Sequence, residues 1–195
     1  MNTVYFLIQQ TMFFTIPLML VAIGGMFSER SGVINIALEG IMIWGGFCSI
    51  LFINMTQEAL SGQLLLMLAI LVAMASGAIF SLLHAYASIH MKADQTISGT
   101  ALNLLAPALA IFMARMIQTS GVQQIPFKNT FRIEKVPVLG DIPVLGNLFF
   151  QNTYITTYIG IGILVVSAVV LYKTKFGLRL RACGEHPQAA DSVGV

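Results

Sequence analysis

Charge is what this chain has least of. Only 9% of its 195 residues are Asp, Glu, Lys or Arg, against 57% hydrophobic residues. A water-soluble domain carries roughly 25% charged residues to keep its surface wet. The shortage excludes a soluble globular protein, and a mean hydropathy of +0.85 makes lipid the solvent. Cysteine is scarce too. Cys48 lies in an apolar run and Cys183 in a basic tail, which fits neither a disulfide framework nor a metal site. His84, His90 and His186 are not spaced with a carboxylate on one helical face, so no metal centre is expected. There is no phosphate-binding G-x-x-x-x-G-K-[ST] loop and no Ser-His-Asp or Cys-His arrangement, so neither ATP binding by that route nor any intrinsic enzyme activity or cofactor is expected. A net charge of +2 points to no nucleic-acid partner. Basic residues are absent ahead of the first apolar run, and no small-x-small cleavage site follows it; that run is expected to be a retained span rather than a signal peptide.

What the chain does have is long apolar runs. The hydrocarbon core of a bilayer is about 30 Å thick, so a spanning helix needs about 20 mostly apolar residues. Five stretches qualify: Val4–Phe27, Val33–Asn54, Leu64–Leu83, Thr96–Met116 and Tyr154–Tyr172. Unpaired backbone groups are not tolerated in lipid, so these runs must be helices. The expected fold is all-α, a polytopic membrane helix bundle of about five spans in a single transmembrane domain.

The connections are short except for residues 118–153, which hold Pro126, Pro137 and Pro143 and a tandem near-repeat, PVLGDI then PVLGNL. Each copy places a glycine after an apolar pair, which predicts two successive turns in a compact loop. Lys173, Lys175, Arg179 and Arg181 follow the fifth span and assign the tail, residues 173–195, to the cytoplasm. Alternation then places Arg30 and Lys92 inside, and the N-terminus, the Thr56–Gly62 turn and the 118–153 loop outside. Lys128, Arg132 and Lys135 run against that bias.

Several features could carry function. Glu39 falls within the second apolar run, where a carboxylate costs a few kcal/mol unless it faces protein or water. Asn35 lies one turn before it, and Gly32 and Gly46 lie near the same stripe. Two readings stand for Glu39: a group on a substrate path, or a polar tie between helices. The fourth span carries Ser98, Asn103 and Pro107; a proline there disturbs the carbonyl four residues earlier, that of Asn103, and kinked helices with exposed polar backbone line transporter sites. Asn35, Glu39, Ser98 and Asn103 are therefore the candidate path residues. Small residues recur at four-residue spacing at Ala69, Ala73, Gly77, Ser81 and Ala85, and again at Ala106, Ala110 and Ala114; close helix packing accounts for them fully.

The tail, KTKFGLRLRACGEHPQAADSVGV, has more pattern than a stop-transfer signal requires. Gly177, Gly184 and Gly194 read as breaks, with Gly184 at a turn, and Pro187 is placed to open a short helix ending near Gly194. The pattern predicts a broken helical hairpin at the membrane surface, although LRLR alone also permits a strand.

The stretch FGLRLRACGEHPQAADSVGV resembles the cytoplasmic coupling segment of permease subunits in the branched-chain amino-acid and simple-sugar branch of ABC importers. Three further stretches support that resemblance: FSERSGVINIALEGIMIWGGF (residues 27–47), KADQTISGTALNLLAPAL (92–109) and GDIPVLGNLFF (140–150), the first being similar to permeases for nucleosides and related sugars. The resemblance implies that Gly177, Arg181, Gly184, Glu185, Ala189, Ala190 and Gly194 couple the permease to an ATPase. It also implies two cytoplasmic ATP-binding subunits, a second permease subunit, an external substrate-binding protein and a small-molecule substrate, a nucleoside or simple sugar, in the bacterial inner membrane. Subunits of that family continue past the coupling segment, so the chain is expected to be an incomplete subunit. Two other classes compete: a self-contained secondary carrier or channel using Glu39 as an ion or proton site, and a structural membrane subunit with no path.

Overall fold

The computed structural model describes residues 2–118, 123–128, 131–135 and 146–194. Its elements are α1 (Asn2–Arg30), α2 (Leu38–Thr56), α3 (Gly62–Ile89), α4 (Gln95–Ile117), β1 (Arg132–Lys135), a π-helical turn (Gly146–Phe150), β2 (Gln151–Tyr154), α5 (Ile155–Lys173), α6 (Lys175–Glu185) and α7 (Pro187–Ser192). Five of these helices, α1 to α5, are long and apolar enough to cross a membrane. At 1.5 Å per residue α1 and α3 run about 42 Å and extend past the hydrocarbon, whereas α2 and α5, about 28 Å, barely span it. Large apolar side chains such as Leu18, Leu82 and Val166 are exposed, each about 60%. Such faces are stable against lipid and not against water.

The chain divides into two compact units, residues 1–32 with 131–195, and residues 33–130. In the first, α1 packs on α5. Gly160 allows the approach, since a Cβ there would meet the Ile16 side chain at 2.7 Å. At one end of this unit β1 and β2 pair antiparallel, Arg132 opposite Tyr154. The Arg132 guanidinium lies 5.2 Å from the Phe13 ring and 5.5 Å from the Tyr154 ring, and its Nε donates to the Tyr154 hydroxyl at 3.2 Å. Phe13 meets Tyr154 edge-on at 5.1 Å. One of the three basic residues that disturb the charge bias is thus held by aromatic faces. The expected turns of the tandem repeat lie outside the described residues, apart from Gly146–Leu148 in the π-helical turn.

In the second unit α2, α3 and α4 surround a core of Ala37, Phe80, Leu102 and Ala106. Trp44 stacks on Phe80 at 5.4 Å. Asp94 opens α4 by accepting from the amides of Thr96 and Ile97 at 2.8 and 3.0 Å, satisfying two of the four donors a helix start leaves free. At the other end of the unit Asn54 donates to the Pro126 carbonyl at 2.6 Å, and Gln57 accepts from the Lys128 amide at 2.8 Å.

Two expectations change. The second span begins at Leu38 and not Val33: residues 33–37 are non-helical. Apolar composition hides this, because Val33, Ile34 and Ile36 read as membrane residues in any conformation. Gly177 and Gly184 are not breaks but lie inside α6. The interruption falls at His186 (φ −149°, ψ 84°), and Pro187 is the first residue of α7. The LRLR stretch is helical.

Candidate functional site

Two places gather the residues singled out from the sequence. The first is the non-helical stretch 33–37, held within its unit by side-chain amides. Asn35 Oδ1 accepts from the Ala37 amide at 3.0 Å, turning the chain into α2. The Ile34 amide donates to Gln95 at 2.9 Å. Asn103, from the middle of α4, donates to the Ile36 carbonyl at 2.8 Å and accepts from the Gly40 amide at 2.7 Å. The Gly40 amide is one of the donors that the start of α2 leaves free, and the Ile36 carbonyl belongs to the connection before it; in a membrane each would otherwise cost several kcal/mol. Gly40 makes the approach possible: a Cβ there would lie 2.8 Å from the Leu102 carbonyl.

Asn35 and Asn103 thus converge on one end of the α2–α4 packing, and Ser98 precedes Gly99, which packs on Ile36 and Ala37. Ser98 meets His84 of α3, Oγ to Nδ1 3.1 Å. His84 is 4% exposed and its Nε2 has no hydrogen-bond partner among the described residues. Sequence reasoning weighed His84 only as a metal ligand and missed it here; its position seven residues, two helical turns, before Met91 at the polar end of an otherwise uncharged span was the available signal. Glu39 differs from the other three. It is exposed in the first turn of α2, not deep in a span, and a carboxylate there is favoured by the helix dipole.

The second place is the tail. Thr174 caps α6 by accepting from the Gly177 amide at 3.3 Å, while its hydroxyl donates to the Val170 carbonyl at 2.5 Å. A Cβ on Gly177 would collide with the carbonyls of Val170 and Leu171, and a Cβ on Gly184 with the carbonyl of Arg30. Arg181 donates from Nε to the Gly177 carbonyl at 3.3 Å and lies 5.5 Å from the Tyr172 ring. Met26, Glu29, Arg30, Arg181, Gly184 and Glu185 line a cleft of about 410 Å³. Ala189 is exposed but Ala190 is buried, so only the first of the two alanines is free to meet a partner. Gly194 has φ +76°, and a Cβ there would meet nothing within 4 Å among the described residues. Phe176, Leu178 and Val193 expose apolar surface beside Lys175 and Arg179, an arrangement suited to docking at a membrane surface.

Residues 7–195 match the family model described as the permease component of branched-chain amino acid transport systems. The guanosine ABC transporter permease protein NupQ of Bacillus subtilis is 47% identical over 193 residues, 97% of this chain and 59% of that protein. The nucleoside ABC transporter permease protein NupC of Lactococcus lactis is 42% identical over 194 residues, 100% of this chain and 60% of that protein. The putative glucose ABC transporter permease protein TsgC13 of Haloferax volcanii is 31% identical over 182 residues, 91% of this chain and 51% of that protein. The chain therefore spans between half and three-fifths of the length of these relatives. No solved structure matches it.

Proposed function

Because this chain belongs to the family of permease components of branched-chain amino acid transport systems, a multi-pass group of the inner membrane, we propose that it forms part of the translocation path of an ATP-driven importer whose substrate is a nucleoside. The observation that carries the substrate class is identity of 47% and 42%, along nearly the whole chain, to permeases named for guanosine and for nucleosides; the relative named for glucose is 31% identical. The importer works with cytoplasmic ATP-binding subunits, a second permease subunit and an external binding protein. The tail is cytoplasmic and receives the ATP-binding subunit on α6 and α7, with Ala189 and Glu185 on the accessible side.

The path runs by the interrupted backbone at residues 33–37. Non-helical backbone next to membrane spans is tolerated where it lines a cavity or is covered by protein. Asn35 and Asn103 bond to backbone in and beside this stretch and so shape it, Ser98 is engaged by His84, and the exposed Glu39 is the member able to meet substrate. Tritiated guanosine uptake by the full-length permease, expressed with its ATP-binding and substrate-binding partners, tests the reading. Uptake should require ATP and be competed by unlabelled nucleosides but not by glucose or leucine. Competition by glucose or leucine alone would overturn the nucleoside assignment.

A further inference from the structure

The helix α6 is tied at both ends by the same device. At its first turn Gly177 rests on the carbonyls of Val170 and Leu171, at the end of α5. Near its last turn Gly184 rests on the carbonyl of Arg30 and lies 3.0 Å, measured from where its Cβ would be, from the Gly32 nitrogen, at the end of α1. Gly32 reciprocates: its φ is +85°, and the space its Cβ would take is held by the Gly184 Cα at 3.2 Å. The two α6 glycines are two helical turns apart, about 10 Å, on one face of the helix. Neither joint contains an α6 side chain, so neither can yield by a change of rotamer, as a contact between leucines can. The charged groups nearby, Glu29, Arg30, Arg181 and Glu185, line the cleft beside the Gly184 joint, and the joint itself is backbone on backbone.

We infer that α6 is a rigid strut joining the ends of α1 and α5, so that force applied to the tail enters both helices together, with Gly184 the positioning residue that engages α1. The inference rests on the importer reading above. Its test uses the full-length permease assembled with its ATP-binding and substrate-binding partners in proteoliposomes, with ATP hydrolysis and tritiated guanosine uptake measured on the same preparation. The variants are Gly184→Ala and Gly184→Val; the control is Gly162→Ala in α5, where an added Cβ meets nothing within 4 Å among the described residues. The ATP-binding subunits should still co-purify with Gly184→Ala and hydrolysis should continue. Guanosine taken up per ATP should fall roughly 10-fold, and further for Val, while Gly162→Ala keeps the wild-type ratio. A wild-type ratio in Gly184→Val would overturn the inference.

A second measurement leaves Gly184 intact and so does not depend on either variant folding. Spin labels at Leu18→Cys on α1 and Leu178→Cys on α6, both exposed positions, are introduced with Cys48 and Cys183 replaced by Ala. Their separation should be the same with and without vanadate-trapped nucleotide. A nucleotide-dependent change would mean that α6 moves independently of α1, which overturns the strut. If the wild-type complex hydrolyses ATP without guanosine uptake, the substrate reading falls while the label separation still decides the strut, so the two failures are distinguishable.

Discussion

Asn103 and Gly184 perform comparable tasks in the two units by opposite means. In the unit of residues 33–130 a side chain reaches out from α4 and supplies the hydrogen bonds that the backbone of Ile36 and Gly40 lacks. In the unit of residues 1–32 with 131–195, α6 comes close enough to α1 only because Gly184 has no side chain at all. The first joint fails by losing atoms and the second by gaining them. A polar clamp can also be loosened by degrees, since each hydrogen bond is separable, whereas a backbone contact is present or absent. Under the proposed reading that difference would match two needs: a segment beside a path has to adjust, and an element that carries force must not.

The contrast is tested most severely at the joint where α6 folds back on α5. Gly177→Val sets a branched side chain against two fixed carbonyls, and the full-length permease should lose about 3 kcal/mol or more of stability, seen as a large fall in the detergent thermal midpoint and in membrane abundance. At the polar clamp Asn103→Leu should cost about 1–3 kcal/mol, because the Ile36 carbonyl and Gly40 amide become unsatisfied. Asn103→Asp keeps an acceptor for the Gly40 amide and should recover part of that loss; if Asp and Leu are equally damaging, the clamp does not act through separable bonds. Arg132→Gln, which removes the guanidinium from Phe13 and Tyr154, should cost about 0.5–1 kcal/mol, measured by the same midpoint. The smallest effect on stability is expected at Glu39→Gln, within about 0.5 kcal/mol for an exposed position, yet guanosine uptake per molecule should fall. Unchanged uptake at unchanged abundance would remove Glu39 from the path.

The five helices were legible because length and apolarity leave a membrane segment no other structure. The two-helix tail was legible because Pro187 suits a helix start and the basic residues mark a surface. The family was legible in four stretches that match permeases in the same order. The non-helical stretch at residues 33–37 was not visible: hydropathy cannot distinguish an apolar helix from an apolar non-helical segment, and the side chain that satisfies its backbone, Asn103, is more than sixty residues away. Gly184 was misread for a similar reason. Glycine near a helix end most often marks a turn, and only the neighbouring carbonyl of Arg30 shows that it serves close approach instead. That Ala189 faces outward and Ala190 its own chain was not legible either, because nothing local tells a small residue facing outward from one facing inward. His84 was passed over as a lone histidine, since its pairing with Ser98 requires α3 and α4 to be adjacent.

The unit that contains α1 is also discontinuous along the chain, and this has a consequence for biogenesis. Its first helix ends at Arg30, while the helices it packs against begin at Ile155 and Lys175. At ribosomal speed the interval between them is on the order of 10 s. During that interval α1 resides in the bilayer without its mate, its Gly160-facing groove beside Ile16 and its Arg30 terminus both unoccupied by protein. The α2–α4 unit, continuous from residue 33 to 130, can meanwhile assemble as each helix leaves the translocon. The newborn chain therefore passes through a stage with the α2–α4 unit assembled and one waiting helix, and membrane quality-control proteases and insertases would meet it there. Variants that weaken α5 or α6 should prolong the exposure of α1 past the end of synthesis, and the clearance that follows should begin at α1 and spare the α2–α4 unit longest.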